Sequence, residues 1–237
     1  MRIQTEPIGS IPRPVELILG MQANAAGQLD DKGLQQLFDA ALSDTIKRFE
    51  ETGSPVISDG EQTKPSFATY SISGSKNLDP NGVVIPFADG HTRQLPKITS
   101  GPFHYQIYAN SYLEKAKQLT SLPVKQAVIA VSAISLLYPQ EGIDGYSHEQ
   151  FISDLLNEAE ADIRKSLNSG AFNVQIDFTE ARLSLKLDPS GGLLKLFIDL
   201  NNQVLNRFNE EERKKIGVHS CPGGDHDSTH SADIPYA

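Results

Sequence analysis

A single cysteine, Cys221, and no tryptophan occur among the 237 residues. One thiol cannot close an internal disulfide, and chains without disulfides belong chiefly to reducing compartments. The cytoplasm is therefore the expected location. Basic residues are also scarce, 21 against 30 acids, leaving a formal charge of -9. No cationic excess is available to neutralise a phosphate backbone, which excludes nucleic acid as the expected partner. Long apolar runs are missing too: none nears the roughly 18 residues of a membrane-spanning helix. Met1-Arg2-Ile3-Gln4-Thr5 lacks the apolar core of a signal peptide. There is no internal repeat and no low-complexity tract.

What is present is an alternation of two periodicities. Leu34, Leu37, Phe38, Ala41, Leu42, Ile46 and Phe49 recur at helical spacing over 31–52, with Asp30 or Asp31 placed to cap the start and Gly53 to end it. Val56-Ile57-Ser58 then reads as a strand broken by Asp59-Gly60. Residues 71–95 interrupt the rhythm with Gly, Pro and Asn. Asp89-Gly90 between Val83–Phe87 and Thr92–Leu95 predicts a hairpin standing apart from the main sheet. Lys97–Phe103 reads as a strand and Ser111–Leu119 as a helix. Gln126–Ala133 is a nearly continuous apolar run, the pattern of a parallel strand covered on both faces. Ser147-His148-Glu149-Gln150 is a capping box opening a helix with Phe151, Leu155, Leu156, Ala159, Ile163 and Leu167 on its stripe. Val174–Asp177 and Ile216–Cys221 are further strands, and a helix is expected from Gly192 to about Phe208.

Six strands, beginning near residues 3, 56, 97, 126, 173 and 215 and mostly separated by helices, imply a parallel α/β sheet. The glycine-rich phosphate fingerprint of a nucleotide-binding fold is missing. Polar residues stand instead at several strand ends: Ser10, Asp59, Glu61, Ser100, Asp177, His219 and Cys221. A TIM-type (β/α)8 barrel brings such ends to one mouth. It needs eight units and about 250 residues, so the expectation is a single barrel domain over 1–237, incomplete at about six strand–helix units, with the hairpin inserted near 71–95.

His219 and Cys221, two apart on a strand, point the same way and can reach one ion. Imidazole nitrogen with thiolate sulfur suits zinc. The plainer reading is a half-buried cysteine beside a hydrogen-bonded histidine. His226 and His230 lie in a Gly-rich tail, where solvation is the ordinary fate. Glu61 and Asp177 follow strands, where acids commonly cap helices; a pair of carboxylates can also receive an ammonium entering a low-dielectric pocket. Around Gly9, exposed backbone amides suit a carboxylate.

In order, Ile8-Gly9-Ser10-Ile11-Pro12, Asp59-Gly60-Glu61, Gly101-Pro102, Gln175-Ile176-Asp177 and His219-Ser220-Cys221 resemble the motifs of the catalytic barrel of cobalamin-independent methionine synthase. In that family they read Ile-Gly-Ser-Phe/Ile-Pro, His-Gly-Glu, Thr-Gly-Pro, Gln-Ile-Asp and His-x-Cys. The resemblance implies a zinc-dependent methyltransferase that activates the thiol of homocysteine and methylates it from methyl-tetrahydrofolate or another carrier. It makes His219 and Cys221 metal ligands. Glu61 and Asp177 would hold the substrate amino group, and Ile8 and Ser10 would meet its carboxylate.

The departures are specific. The family's further zinc ligands, a Glu and a second Cys, lie downstream of His-x-Cys, and so does a histidine assisting proton transfer; this sequence has one cysteine and ends at Ala237. No tryptophan is present to stack a folate, Asp59 replaces a histidine, and Gln62–Ser66 differs from the folate-binding segment. The pattern is nearer to short single-barrel relatives. Two other readings fit the same residues: a related zinc thiol alkyltransferase of the epoxide–thiol type, and a non-catalytic barrel that binds a small molecule or partner.

Overall fold

A computed structural model of the chain describes residues 5–225 and 227–231. The strand expected near residue 3 and His226 lie largely outside these residues.

Eight helices are described: α1 Val15–Ala25, α2 Asp31–Glu51, α3 Asn110–Lys117, α4 Val131–Ser135, α5 His148–Asn168, α6 Ala181–Leu187, α7 Gly192–Leu205 and α8 Glu210–Arg213. Where caps were legible, they operate. Asp30 accepts the backbone N–H of Gly33 at 2.7 Å. Ser147 and Gln150 form a reciprocal box at the start of α5, an arrangement worth about 1 kcal/mol. The apolar stripe of α5 then enters the core, with Phe151 and Leu155 fully buried and Ala159 and Ile163 nearly so. Each large side chain buried this way contributes roughly 1.5–3 kcal/mol. Helix α1 was not expected. Pro12 and Pro14 precede it, Gly20 interrupts it, and its face is held down by Leu17 and by Gly20 against Leu37.

The strands are β1 Leu78–Asp79, β2 Val84–Pro86, β3 Thr92–Gln94, β4 Lys97–Ile98, β5 Gln126–Ile129, β6 Val174–Asp177, β7 Ile216–His219, β8 Gly224–Asp225 and β9 Ser228–Thr229. β5, β6 and β7 form a parallel sheet in that order, with Ile129 beside Asp177 and Asp177 beside His219. Ile57 joins the β5 side through one parallel bridge to Val124, donating to Pro123 and accepting from Lys125. Neighbours thus follow chain order, without the reversal that defines a doubly wound sheet. All four residues of β5 are buried, as its composition required.

One expectation is met in part and another is corrected. Of the described strands only β5, β6 and β7 pair in parallel, joined by one bridge, so the α/β class holds and no closed barrel is present among them. Lys97–Phe103 is not a strand of this sheet. Only Lys97–Ile98 is extended, and it pairs antiparallel with β1. Pro96 and Pro102 carry no N–H to donate, while Ile98 and Thr99 donate instead to Leu137 and Asn77. The hairpin near 71–95 is present as β2 and β3, antiparallel with Ile85 opposite Arg93. It is tied to the chain end by Ala88 N–H donating to Thr229 at 2.9 Å. No described helix is long and apolar enough to cross a membrane.

One polar knot interrupts the core. Asp162, on the buried face of α5, accepts the Ala109 N–H at 2.6 Å and the Tyr70 hydroxyl. Burial outweighs these bonds and raises its carboxyl to about 6. In the unfolded chain it titrates near 4, so between those values the folded state holds a proton that the unfolded state has released. Its contribution to stability therefore rises as pH falls from about 6 to about 4, by up to ~3 kcal/mol. Urea unfolding of Asp162→Asn should lack this rise. Parallel pH–stability curves for the variant and the parent would contradict the assignment.

Candidate functional site

A cleft of about 760 Å³ opens at the C-terminal ends of β5, β6 and β7. Ile8, Ser10, Glu61, Asp177, His219 and Cys221, separated by up to 213 positions in the chain, all line it. The geometry behind this convergence is a tight turn after Ile57. Gly60 and Glu61 both have positive φ, 61° and 55°. The first is available only to glycine without strain, and a Cβ there would also stand 2.7 Å from Thr45. The second is an uncommon conformation for a glutamate. Asp59 holds the turn by accepting the Glu61 N–H at 2.9 Å. It does not cap a helix.

The 8–14 segment is stitched to that turn. Ser58 donates to the Gly9 carbonyl at 3.1 Å, and Ile11 N–H donates to Gly60 at 3.2 Å. Gln62 returns a bond to Ile11, while the Arg13 guanidinium donates to the carbonyls of Glu61, Gln62 and Lys64. The first two motifs are therefore one unit.

Two buried lysines fix the two acids. Lys64 donates to Glu61 Oε1 at 2.9 Å and to the Ala127 carbonyl at 2.8 Å, with its ammonium 4.8 Å from the Tyr70 ring. Opposing burial, the charges of Glu61 and Asp59 raise its pKa above the usual lysine value. Lys125 acts at one remove. It contacts Glu6 at 3.3 Å and donates to Gln175 Oε1 at 2.7 Å; Gln175 in turn donates to Asp177 at 2.7 Å. Burial, and then the charge of Glu61, lift Asp177 to about 6. An ammonium between Glu61 and Asp177 would relieve that repulsion. Neither lysine was singled out from sequence. Glu61-x-x-Lys64 was the available signal, but a charge pair three apart is ordinary.

Cys221 is half-buried. Its hydrogen bond with His219 draws the thiol below its ordinary pKa, and its sulfur accepts the Gly223 N–H at 3.4 Å. His230 overturns the expectation of solvation. It is buried, lines the cleft, and stacks edge-on to Phe87 with ring centroids 5.3 Å apart. Gly223 leaves the space its ring occupies, since a Cβ there would lie 1.8 Å from Nε2. As donors for zinc, His219 and Cys221 supply two of the three or four that a protein site takes. No group of three metal-binding side chains gathers among the described residues. The set present does not by itself hold zinc.

Glu180, Thr179 and Leu183 also line the cleft and were not anticipated, because α6 has too few residues to show a period. The hairpin adds Ile85, Phe87 and Leu95 as an apolar wall.

No family model and no curated protein matches the chain. Solved structures do. A B12-independent methionine synthase from Shewanella sp. W3-18-1, in complex with selenomethionine, is similar at TM-score 0.66 and 18% identity, over 92% of this chain and 61% of that one. A Listeria monocytogenes protein assigned to the vitamin-B12-independent methionine synthases is similar at TM-score 0.64 and 19% identity, over 90% of this chain and 62% of its own. Both belong to the family whose motifs the sequence resembles. At such identity the likeness establishes the fold, and the chain spans about three fifths of the length of each neighbour.

The Lys64–Glu61 pair is fully enclosed, so deleting one partner strands a buried charge. Lys64→Met should lower unfolding free energy by about 3–5 kcal/mol. A loss below about 1 kcal/mol in urea titration would show the pair to be incidental.

Proposed function

We propose that this chain is part of a methyltransferase of the methionine synthase type, whose cleft binds homocysteine and presents its thiol for methylation. The observation that carries the reading is the meeting of Ser10, Glu61, Asp177, His219 and Cys221 at one cleft above parallel strand ends. In such folds that end carries chemistry and the opposite end carries stability. The selenomethionine bound by the Shewanella neighbour is an analogue of the product amino acid.

The residues divide the work by charge. Asp177, oriented through Gln175, and the free oxygen of Glu61 receive the substrate ammonium in a site where an unpaired cation would be costly. Ile8 and Ser10, on the segment clamped by Arg13, face the carboxylate. The thiol end then lies toward His219 and Cys221. Zinc, when bound, would hold the sulfur as thiolate, because a cation lowers a thiol's pKa. His219 and Cys221 are its proposed first two ligands, and further donors must come from outside the described residues. The methyl donor occupies the side walled by Ile85, Phe87 and Leu95. The share of each neighbour left uncovered supports a single barrel domain of which this chain is an incomplete part.

Methionine binding followed by calorimetry tests the substrate assignment directly. Asp177→Asn and Glu61→Gln should each weaken affinity about 10-fold or more, on the scale of a lost charge-assisted hydrogen bond. Unchanged affinity in both would sink the reading. Zinc titration provides a second check. Binding to these 237 residues should be weak, and Cys221→Ala should remove it; tight binding that survives the substitution would place the metal elsewhere.

A further inference from the structure

One buried carboxyl in the cleft has no part in holding either end of the amino acid. Glu180 precedes α6, is 4% exposed and lines the cleft. Its Oε1 accepts the Ser132 hydroxyl. Ser132 is oriented by Asn201, whose Nδ2 donates to Ser132 Oγ at 2.7 Å and to the Phe197 carbonyl at 3.0 Å. With its own oxygen accepting from Asn201, Ser132 directs its single proton at Glu180. The other oxygen, Oε2, is buried without a hydrogen-bond partner. A chain of three side chains thus fixes one carboxylate oxygen and leaves its enclosed twin unpaired, an arrangement that is costly for a purely structural acid.

We propose that Glu180 is the proton acceptor for the substrate thiol, an inference that rests on the preceding reading of the cleft as an amino-acid thiol site. The S–H bond breaks, its electron pair stays on sulfur, and the proton goes to Glu180 Oε2. The resulting thiolate then attacks the methyl carbon of the donor, and the bond from that carbon to the donor breaks with its electron pair leaving on the donor. Burial, reinforced by the nearby charge of Asp177, raises the Glu180 carboxyl to about 7. An ordinary glutamate near 4.3 falls about four powers of ten short of a thiol near 8.5, whereas a carboxyl near 7 falls short by roughly 1.5. The groups around it are few. Asp177 on β6 is the charge that acts on it, α4 and α7 offer Ser132 and Asn201, its own helix carries Arg182, and His219, Cys221 and His230 line the same cleft.

The test uses methyl methanesulfonate as a chemical methyl donor, with the protein in excess over homocysteine and methionine measured by mass spectrometry. Sulfur–carbon bond formation then expels methanesulfonate, so the redox state does not change. In the parent protein the rate should rise with pH through a midpoint near 7. Glu180→Gln keeps the bond from Ser132 but cannot take a proton. It should lose about 100-fold in rate at pH 7, shift the midpoint toward that of a free thiol, and leave methionine affinity unchanged. Ser132→Ala, which removes a bond favouring the charged carboxylate, should move the midpoint upward. Superimposable profiles for the parent and both variants overturn the role of Glu180 while leaving the site reading intact. Failure to bind methionine or homocysteine at all overturns both.

Discussion

The cleft depends on one buried ammonium. Asp59, Glu61 and Asp177 crowd the mouth of the parallel sheet, and each is almost wholly removed from water. Burial disfavours their charges, and mutual repulsion adds to the cost. Lys64 offsets both. Its three protons go to Glu61, to the Ala127 carbonyl on β5 and toward the face of Tyr70, so the charge balance is tied to the position of a strand. The left-handed backbone at Gly60 and Glu61 turns the chain tightly enough for a lysine three residues on to reach back. Local strain, buried charge and strand register are therefore one device.

A second line of polar groups runs through the interior of the arc. From Glu6 through Lys125 and Gln175 to Asp177, it connects the N-terminal side of the sheet to the acid at the cleft. Direct pairing of Lys125 with Asp177 would neutralise the acid. An amide between them orients the carboxylate and leaves its charge for a ligand. Each acid has one oxygen engaged, but Glu61 accepts from the Lys64 ammonium whereas Asp177 accepts from the neutral Gln175 amide. The two acids are thus unequally placed for the proposed substrate ammonium, because Glu61 already meets a cation and Asp177 does not.

The far wall of the cleft is built by segments outside the sheet. The β2–β3 hairpin, the β8–β9 pair and Lys186 of α6 are joined by hydrogen bonds to backbone carbonyls, including those that Lys186 Nζ donates to Pro86 and His230. Phe87 is sandwiched against His91 and His230.

Much of this was legible before any fold was known. The long helices announced themselves because apolar spacing and caps agree, as at Asp30 and Ser147. The hairpin was legible from Asp89-Gly90, and β5 from its unbroken apolar run. Six residues that line the cleft could be named because their motifs fall in order along the chain. Other features depend on neighbours distant in sequence. Residues 97–103 read as a strand of the main sheet, but prolines denied them its hydrogen bonds. His230 looked solvated until the space left by Gly223 received its ring. Lys64, Lys125 and Glu180 carry the electrostatics of the cleft, yet apart from the local bond to Glu61 each acquires its role only through partners 48 or more positions away, at Ala127, Gln175 and Ser132. Sequence by itself determined which residues are chemically equipped and which elements carry them, because periodicity and capping are local. Tertiary structure alone decided which charges are buried, paired or left open, because desolvation is a property of the packed whole.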